Sequence, residues 1–251
     1  DLAQWDVNSF NRRLDMYNGI SYRDVKVTSP RGNCLHLHAE HLVNMTYPDL
    51  CLIRYSVTSQ NYTGKLSLLP LLEANLNDHS EYTEEKIWNI LDSGVIQDCA
   101  YLWTQTRRED SQVCYAMTYH FYKNNKETSL NPIRIEKGKQ TGFSLGTDVK
   151  PGDTVTLLKY VIVASSLYYE RQHLVETSTC MARKAKSDGW EALTKAHQQA
   201  WHKIWDETDV VIQGDPEAQQ GIRYNIFQLY QTYRGDDPRL NIAPKGFTGE
   251  K

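Results

Sequence analysis

The stretch His36-Leu37-His38-Ala39-Glu40 holds a dense set of side chains able to do chemistry. On a β-strand, residues two apart share a face, so both imidazoles and the carboxylate could converge on a metal ion. The competing use is a solvated strand face with cross-strand polar pairs. An HxH pattern with no second cluster beside it favours that use, and no metal is expected. Carboxylates stand together at Glu84 and Glu85, at Glu109 and Asp110, at Asp236 and Asp237, and at Asp206, Glu207 and Asp209. Glycoside cleavage needs two carboxyl groups facing each other across a sugar. Adjacent residues on a polar loop rarely do so, and these read as solubilising and capping groups. Cysteines at 34, 51, 99, 114 and 180 are an odd set without a C-x-x-C pair. That argues against a disulfide framework and for a reducing cytoplasm. No context visible in the sequence would lower a thiol's pKa. A GxSxG elbow, a phosphate-binding Walker loop and a GxGxxG fingerprint are all missing. No catalytic residue and no organic cofactor are expected within the 251 residues.

Composition narrows the classes further. A formal net charge of −3 gives nucleic-acid binding little electrostatic support. No apolar run approaches the ~20 residues that span a bilayer, so no membrane partner is expected. The opening "DLAQWDVNSF" lacks a basic region followed by an apolar stretch and does not read as a signal peptide. The sequons Asn44-Met-Thr and Asn61-Tyr-Thr therefore read as chance. Sixteen tyrosines and six tryptophans are many; such rings stack on sugars, but more often they pack.

The elements that must carry these residues change character along the chain. From about 22 to about 165 the pattern is strands. "NCLHLHAEHLVNM" alternates, with Leu35, Leu37, Ala39 and Val43 on one face and His36, His38 and Glu40 on the other. Cys51, Ile53, Tyr55 and Val57 share a face, as do Tyr115, Met117, Tyr119 and Phe121. "DTVTLLKYVIVASS" is a β-branched run after the turn "KPGD". Short period-two segments between turns imply an antiparallel β-sandwich. After about 166 the period becomes helical. A weaker helix is expected over 169–186. Trp190, Leu193, His197, Trp201, Ile204 and Trp205 then form one helical stripe. Val210 to Ile212 read as a short return strand. Asp215 is a good N-cap, Pro216 suits the first helical position, and Ile222, Ile226, Leu229, Tyr230 and Tyr233 mark a buried stripe. Gly221, costly inside a helix, suggests a close approach to another helix. The expected organisation is a sandwich over 1–165, a helical linker over 166–213, and a helix with a loop over 214–251.

The last residues, "LNIAPKGFTGEK", have the composition of a specified loop. With the Trp201-His202-Lys203-Ile204-Trp205 helix end, the run Asp209 to Ile212, Gly214-Asp215, Gln219 to Phe227, and Pro244 to Gly249, they resemble the segment preceding the catalytic barrel in family 65 of the glycoside hydrolases. Upstream, "LDMYNGISYRD", "CLIRYSVTS" and "PGDTVTLLKYVIV" look like strands of the same family's N-terminal sandwich, so the resemblance covers nearly the whole chain.

The resemblance implies a galactose-mutarotase-like β-sandwich, a helical linker and, beyond this chain, an (α/α)6 barrel that carries the chemistry. In the barrel a glutamic acid protonates the glycosidic oxygen while inorganic phosphate attacks the anomeric carbon from the opposite face. It points first to maltose, with β-glucose 1-phosphate and glucose as products, and to a homodimer as the full-length form. Phosphate is then a co-substrate, and disaccharide and phosphate reach the protein through the barrel. The alternatives are a carbohydrate-binding or oligomerisation module, and the same region of an α-glucoside hydrolase. The chain departs from the family by lacking the barrel, and its start looks late within the sandwich. No catalytic residue carries over. Lys245, Gly246, Phe247, Thr248 and Gly249 are the only cleft-proximal candidates.

Overall fold

The computed structural model describes residues 4–74, 88–233 and 235–240. Thirteen strands come first: β1 (Asp6–Asp15), β2 (Ile20–Thr28), β3 (Cys34–Val43), β4 (Leu50–Ser59), β5 (Gly64–Leu68), β6 (Leu71–Glu73), β7 (Trp88–Ile96), β8 (Cys99–Thr106), β9 (Gln112–Lys123), β10 (Lys126–Glu127), β11 (Ile133–Lys137), β12 (Gln140–Val149) and β13 (Thr154–Ser165). Three helices follow: α1 (Leu174–Asp188), α2 (Trp190–Thr208) and α3 (Pro216–Thr232). All strand pairs are antiparallel. The larger sheet runs β1-β2-β3-β4-β13-β9-β8-β7 with β10 beside β9, and the smaller runs β11-β12-β5 with β6 also on β12. The expected β-sandwich followed by helices is the observed fold.

Both faces of the large sheet are used, which explains why β13 carries apolar residues on both sides rather than alternating. Its Val155, Leu157 and Val161, with Phe121 of β9, face the small sheet, where Phe143 and Leu145 of β12 meet them. Its Leu158, Tyr160, Ile162 and Ala164 face α1. Helix α1 offers Leu174, Ser178, Ala182 and Ala185, all buried, on one stripe. Short side chains there let the helix lie close to the sheet, with Ser178 Oγ 3.1 Å from Cys114 Sγ. Gly189, at φ 84°, turns the chain directly from α1 into α2.

Four local expectations are corrected. Val43 is 55 % exposed, and the buried residue near the end of β3 is Leu42, which shares the helix-facing side with His36, His38 and Glu40. Residues 210–212 form no strand. They lie extended, with the Gln219 side chain as partner: Oε1 accepts from Ile212 N at 2.7 Å and Nε2 donates to Val210 O at 2.8 Å. A single amide thus satisfies the backbone where no sheet edge is in reach. On α3, Leu229 is 61 % exposed and Phe227 is the buried residue. Gly221 has open space where a Cβ would stand, so no helix among the described residues explains it. The N-cap is as expected: Asp215 Oδ1 accepts from Ala218 N at 2.9 Å, with Pro216 in the first turn.

Candidate functional site

The structure brings His36, His38 and Glu40 onto one face, toward α2. His38 Nδ1 lies 2.8 Å from Asp24 Oδ1, and His38 Nε2 lies 3.3 Å from Glu40 Oε1. His36 Nε2 is 3.4 Å from the same Asp24 oxygen. Glu40 also accepts from Arg54 at 3.0 Å, and the Arg54 guanidinium lies 4.7 Å from the centre of the Trp190 ring on α2. His38 holds the Asp24 carboxyl below the usual carboxylate range by hydrogen bonding. These groups answer one another as an ion-pair strip. Among the described residues no cluster of His, Cys, Asp or Glu fits a metal ion.

Several of these carboxylates are bound to the fold. Asp110 pairs with Arg171, and Asp209 pairs with Arg223 at 2.6 Å. Asp237 is buried and holds Arg239 at 2.8 Å; the Arg239 hydrogen bonds drive its pKa strongly down. Glu84 and Glu85 lie outside the described residues. The five cysteines are free thiols. Burial raises Cys99 to about 12 and Cys114 to about 11, so both stay protonated and neither is poised as a nucleophile. Asn44 is buried with its side chain spent on Leu193 O, Thr46 N and Tyr47 N, which closes that sequon to modification in the folded state.

The most constrained constellation joins the β1–β2 turn to α2 and α3. The segment Met16-Tyr17-Asn18-Gly19 forms that turn. Trp205 Nε1 donates to Met16 O at 2.9 Å. His202 Nε2 is 3.0 Å from Asn18 Oδ1, and its ring stacks on Tyr17 at 4.1 Å. His197 Nδ1 accepts from Met45 N at 3.1 Å while its Nε2 faces Gly19 O at 3.0 Å. That pairing selects the neutral tautomer with hydrogen on Nε2. Burial lowers its pKa, in agreement. Gly19 sits at φ +67°, and a Cβ there would fall 2.0 Å from Trp201 Nε1. Only glycine fits, because the backbone must lie against the indole. Trp201 in turn stacks on Phe227 of α3, with centroids 4.6 Å apart. The helical stripe was readable from spacing. Its partners, the turn at Gly19 and Asn44 between β3 and β4, were not, since they are remote in sequence and carry no periodic mark.

This arrangement fixes the exit direction of the chain and positions α3; it holds no acid–base pair. The cleft-proximal candidates Lys245, Gly246, Phe247, Thr248 and Gly249 lie outside the described residues. No helix among the described residues is long and apolar enough to cross a membrane.

Comparison with known proteins supplies the context. The profile "Glycosyl hydrolase family 65, N-terminal domain" matches residues 1–204. The maltose phosphorylase of Bacillus subtilis (strain 168) is 29 % identical over 251 residues, covering 100 % of this chain and 32 % of that protein. The α,α-trehalose phosphorylase of Thermoanaerobacter brockii is 27 % identical, covering 99 % and 33 %. The kojibiose phosphorylase of Caldanaerobacter subterraneus subsp. tengcongensis is 24 % identical, covering 99 % and 33 %. A solved structure described as a putative kojibiose phosphorylase from human microbiome superposes with a TM-score of 0.85 at 22 % identity, over 100 % of this chain and 32 % of its own. The chain spans about a third of the length of the relatives it matches. With an antiparallel sandwich, the helical exit built on Trp201 and a profile match over most of its length, this chain belongs to glycosyl hydrolase family 65 and carries that family's N-terminal domain.

Proposed function

We propose that this chain is the non-catalytic N-terminal region of an inverting disaccharide phosphorylase, with maltose and phosphate converted to β-glucose 1-phosphate and glucose. The observation that carries the reading is the match, over the whole of this chain, to proteins named maltose, trehalose and kojibiose phosphorylase. The chain's contribution is mechanical. The sandwich anchors α2 through Gly19, Asn44 and His197, and α2 orients α3 through the Trp201–Phe227 stack. The identities of 29 % to the maltose enzyme and 27 % to the trehalose enzyme support a disaccharide phosphorylase, and maltose is the substrate this reading takes first. The reading includes a homodimer in the cytoplasm for the full-length protein, needing phosphate as co-substrate and no other cofactor. Initial rates of the full-length protein with phosphate on maltose, trehalose, kojibiose and nigerose test it. Fastest release of β-glucose 1-phosphate from maltose is expected. Faster turnover of another disaccharide would reassign the substrate, and equal rates of glucose release with and without phosphate, with no glucose 1-phosphate formed, would make the protein a hydrolase.

A further inference from the structure

The turn that seats α2 contains Asn18-Gly19, the one Asn-Gly pair in the sequence. The fold demands both residues. Gly19 sits at φ +67°, and a Cβ on it would fall 2.0 Å from Trp201 Nε1, so no side chain fits. Asn18 uses both ends of its amide. Nδ2 donates to Asp15 Oδ2 at 3.0 Å, and Oδ1 lies 3.0 Å from His202 Nε2. A carboxylate only accepts, so Asp15 fixes which end of the amide faces it, and His202 donates from Nε2. The Asn18 backbone N–H donates to the other Asp15 oxygen at 3.1 Å. The clamping groups are held in turn: Tyr17 stacks on the His202 ring at 4.1 Å, and Arg13 stands 3.6 Å from Asp15 Oδ2.

Asparagine is a thermolabile residue, and a following glycine leaves its own backbone nitrogen unhindered. That nitrogen can attack Asn18 Cγ. A bond forms between Gly19 N and Cγ, the Cγ–Nδ2 bond breaks, and Nδ2 leaves as ammonia with the proton of the Gly19 amide. Water then opens the cyclic imide at either carbonyl, giving aspartate or isoaspartate. Asn18 is half-buried, so the co-reactant, water, is at hand. The attack requires Cγ to swing onto the Gly19 nitrogen. An amide held at both ends cannot do so until the turn opens locally. The product undoes what the turn is for. A second carboxylate then faces Asp15 where a donor stood, and like charges repel. Isoaspartate also adds a carbon to the main chain between Met16 O and Gly19 O, the two acceptors that hold Trp205 and His197.

We propose that Asn18 is a site of spontaneous deamidation, held in check by the Asp15–His202 clamp, and that its conversion loosens the seat of α2. The site is separate from any disaccharide chemistry and stands whether or not the full-length protein is a phosphorylase. Incubating this chain at mildly alkaline pH, with and without denaturant, and mapping its peptides by mass spectrometry tests it. In denaturant Asn18 should convert before any other asparagine. In the folded chain it should convert at least tenfold more slowly than in denaturant. His202→Ala should recover at least threefold of that rate without denaturant, at Asn18 alone, and Asp15→Ala provides a second release of the same amide. Asn18→Asp, which mimics one product, should unfold at a lower temperature than the parent chain. Equal rates at Asn18 with and without denaturant, earlier loss at another asparagine, or an unchanged melting temperature in Asn18→Asp would overturn the proposal. So would clamp variants that leave the Asn18 rate unchanged or raise it at every asparagine alike.

Discussion

The two faces of the nine-stranded sheet are built from the same alternating strands and end in opposite states. Toward the helices, many polar residues are matched: Asp24 with His36 and His38, Glu40 with His38 and Arg54, Asn44 and His197 with backbone atoms, while Thr194 Oγ1 and Trp201 Nε1 are buried without a partner. Toward the small sheet the face is largely apolar, and near its edge two arginines, Arg12 and Arg23, stand opposite each other across β1 and β2. Lys159 marks the transition. It is a lysine inside the sandwich, donating to Leu71 O at 2.9 Å, with burial lowering its pKa to about 8. The contrast teaches that strand alternation assigns a side chain to a face, while the element packed above decides whether a polar group there is satisfied, buried or left waiting.

The sharpest way to break this contrast is at the helix-facing lock. Trp201→Ala should destabilise the chain by about 3–5 kcal/mol in denaturant unfolding, since a buried indole stacked on Phe227 is lost. Gly19→Ala should disturb the same contact by forcing a Cβ against that indole, and a neutral result would show that the turn is not seated as described. On the opposite face, Lys159 gives a pH signature. Its folded pKa of about 8 lies below the ordinary 10.5, so the unfolded chain holds the proton more tightly between these values. Stability relative to Lys159→Met should rise across pH 8 to 10.5, by about 3 kcal/mol for a shift of this size. A flat difference would contradict the buried placement.

The third test concerns His197. Replacing it by Ala leaves Met45 N–H and Gly19 C=O without their partner, at about 1–3 kcal/mol. Its pKa is depressed by burial, so its contribution is present above the ordinary imidazole range and is lost as pH falls through that range. The wild type should therefore lose stability on acidification more steeply than His197→Ala. The smallest effect is expected at Asp24. Its partly exposed pairs with His36 and His38 are worth at most about 1 kcal/mol. With the carboxyl held low, the loss in Asp24→Asn should appear above the ordinary carboxylate pKa and vanish as pH falls through the folded value. A larger effect would mean the strip does more than tie β2 to β3.

Legibility in the sequence followed the range of the interaction. The strand faces of β4 and β9, the α2 stripe and the Asp215–Pro216 helix start are local patterns, and each is found in the structure. Leu42 replaced Val43 as the buried residue because a helix covers the side that alternation alone marked as polar. The strand expected at 210–212 failed because a strand needs a neighbour, and Gln219 took that role. On α3, Phe227 rather than Leu229 turned inward because Trp201 lies on that side. The His36, His38 and Glu40 face was correctly read as cross-strand pairing, though Asp24, its main partner, could be found only by register.

The central claim is that this region supports chemistry performed elsewhere in a longer polypeptide. The most direct measurement incubates the purified 251-residue chain with maltose and phosphate beside the full-length protein at equal molarity, following glucose 1-phosphate. Product from the full-length protein and none from the chain is the expected result. Turnover by the chain itself would contradict the account.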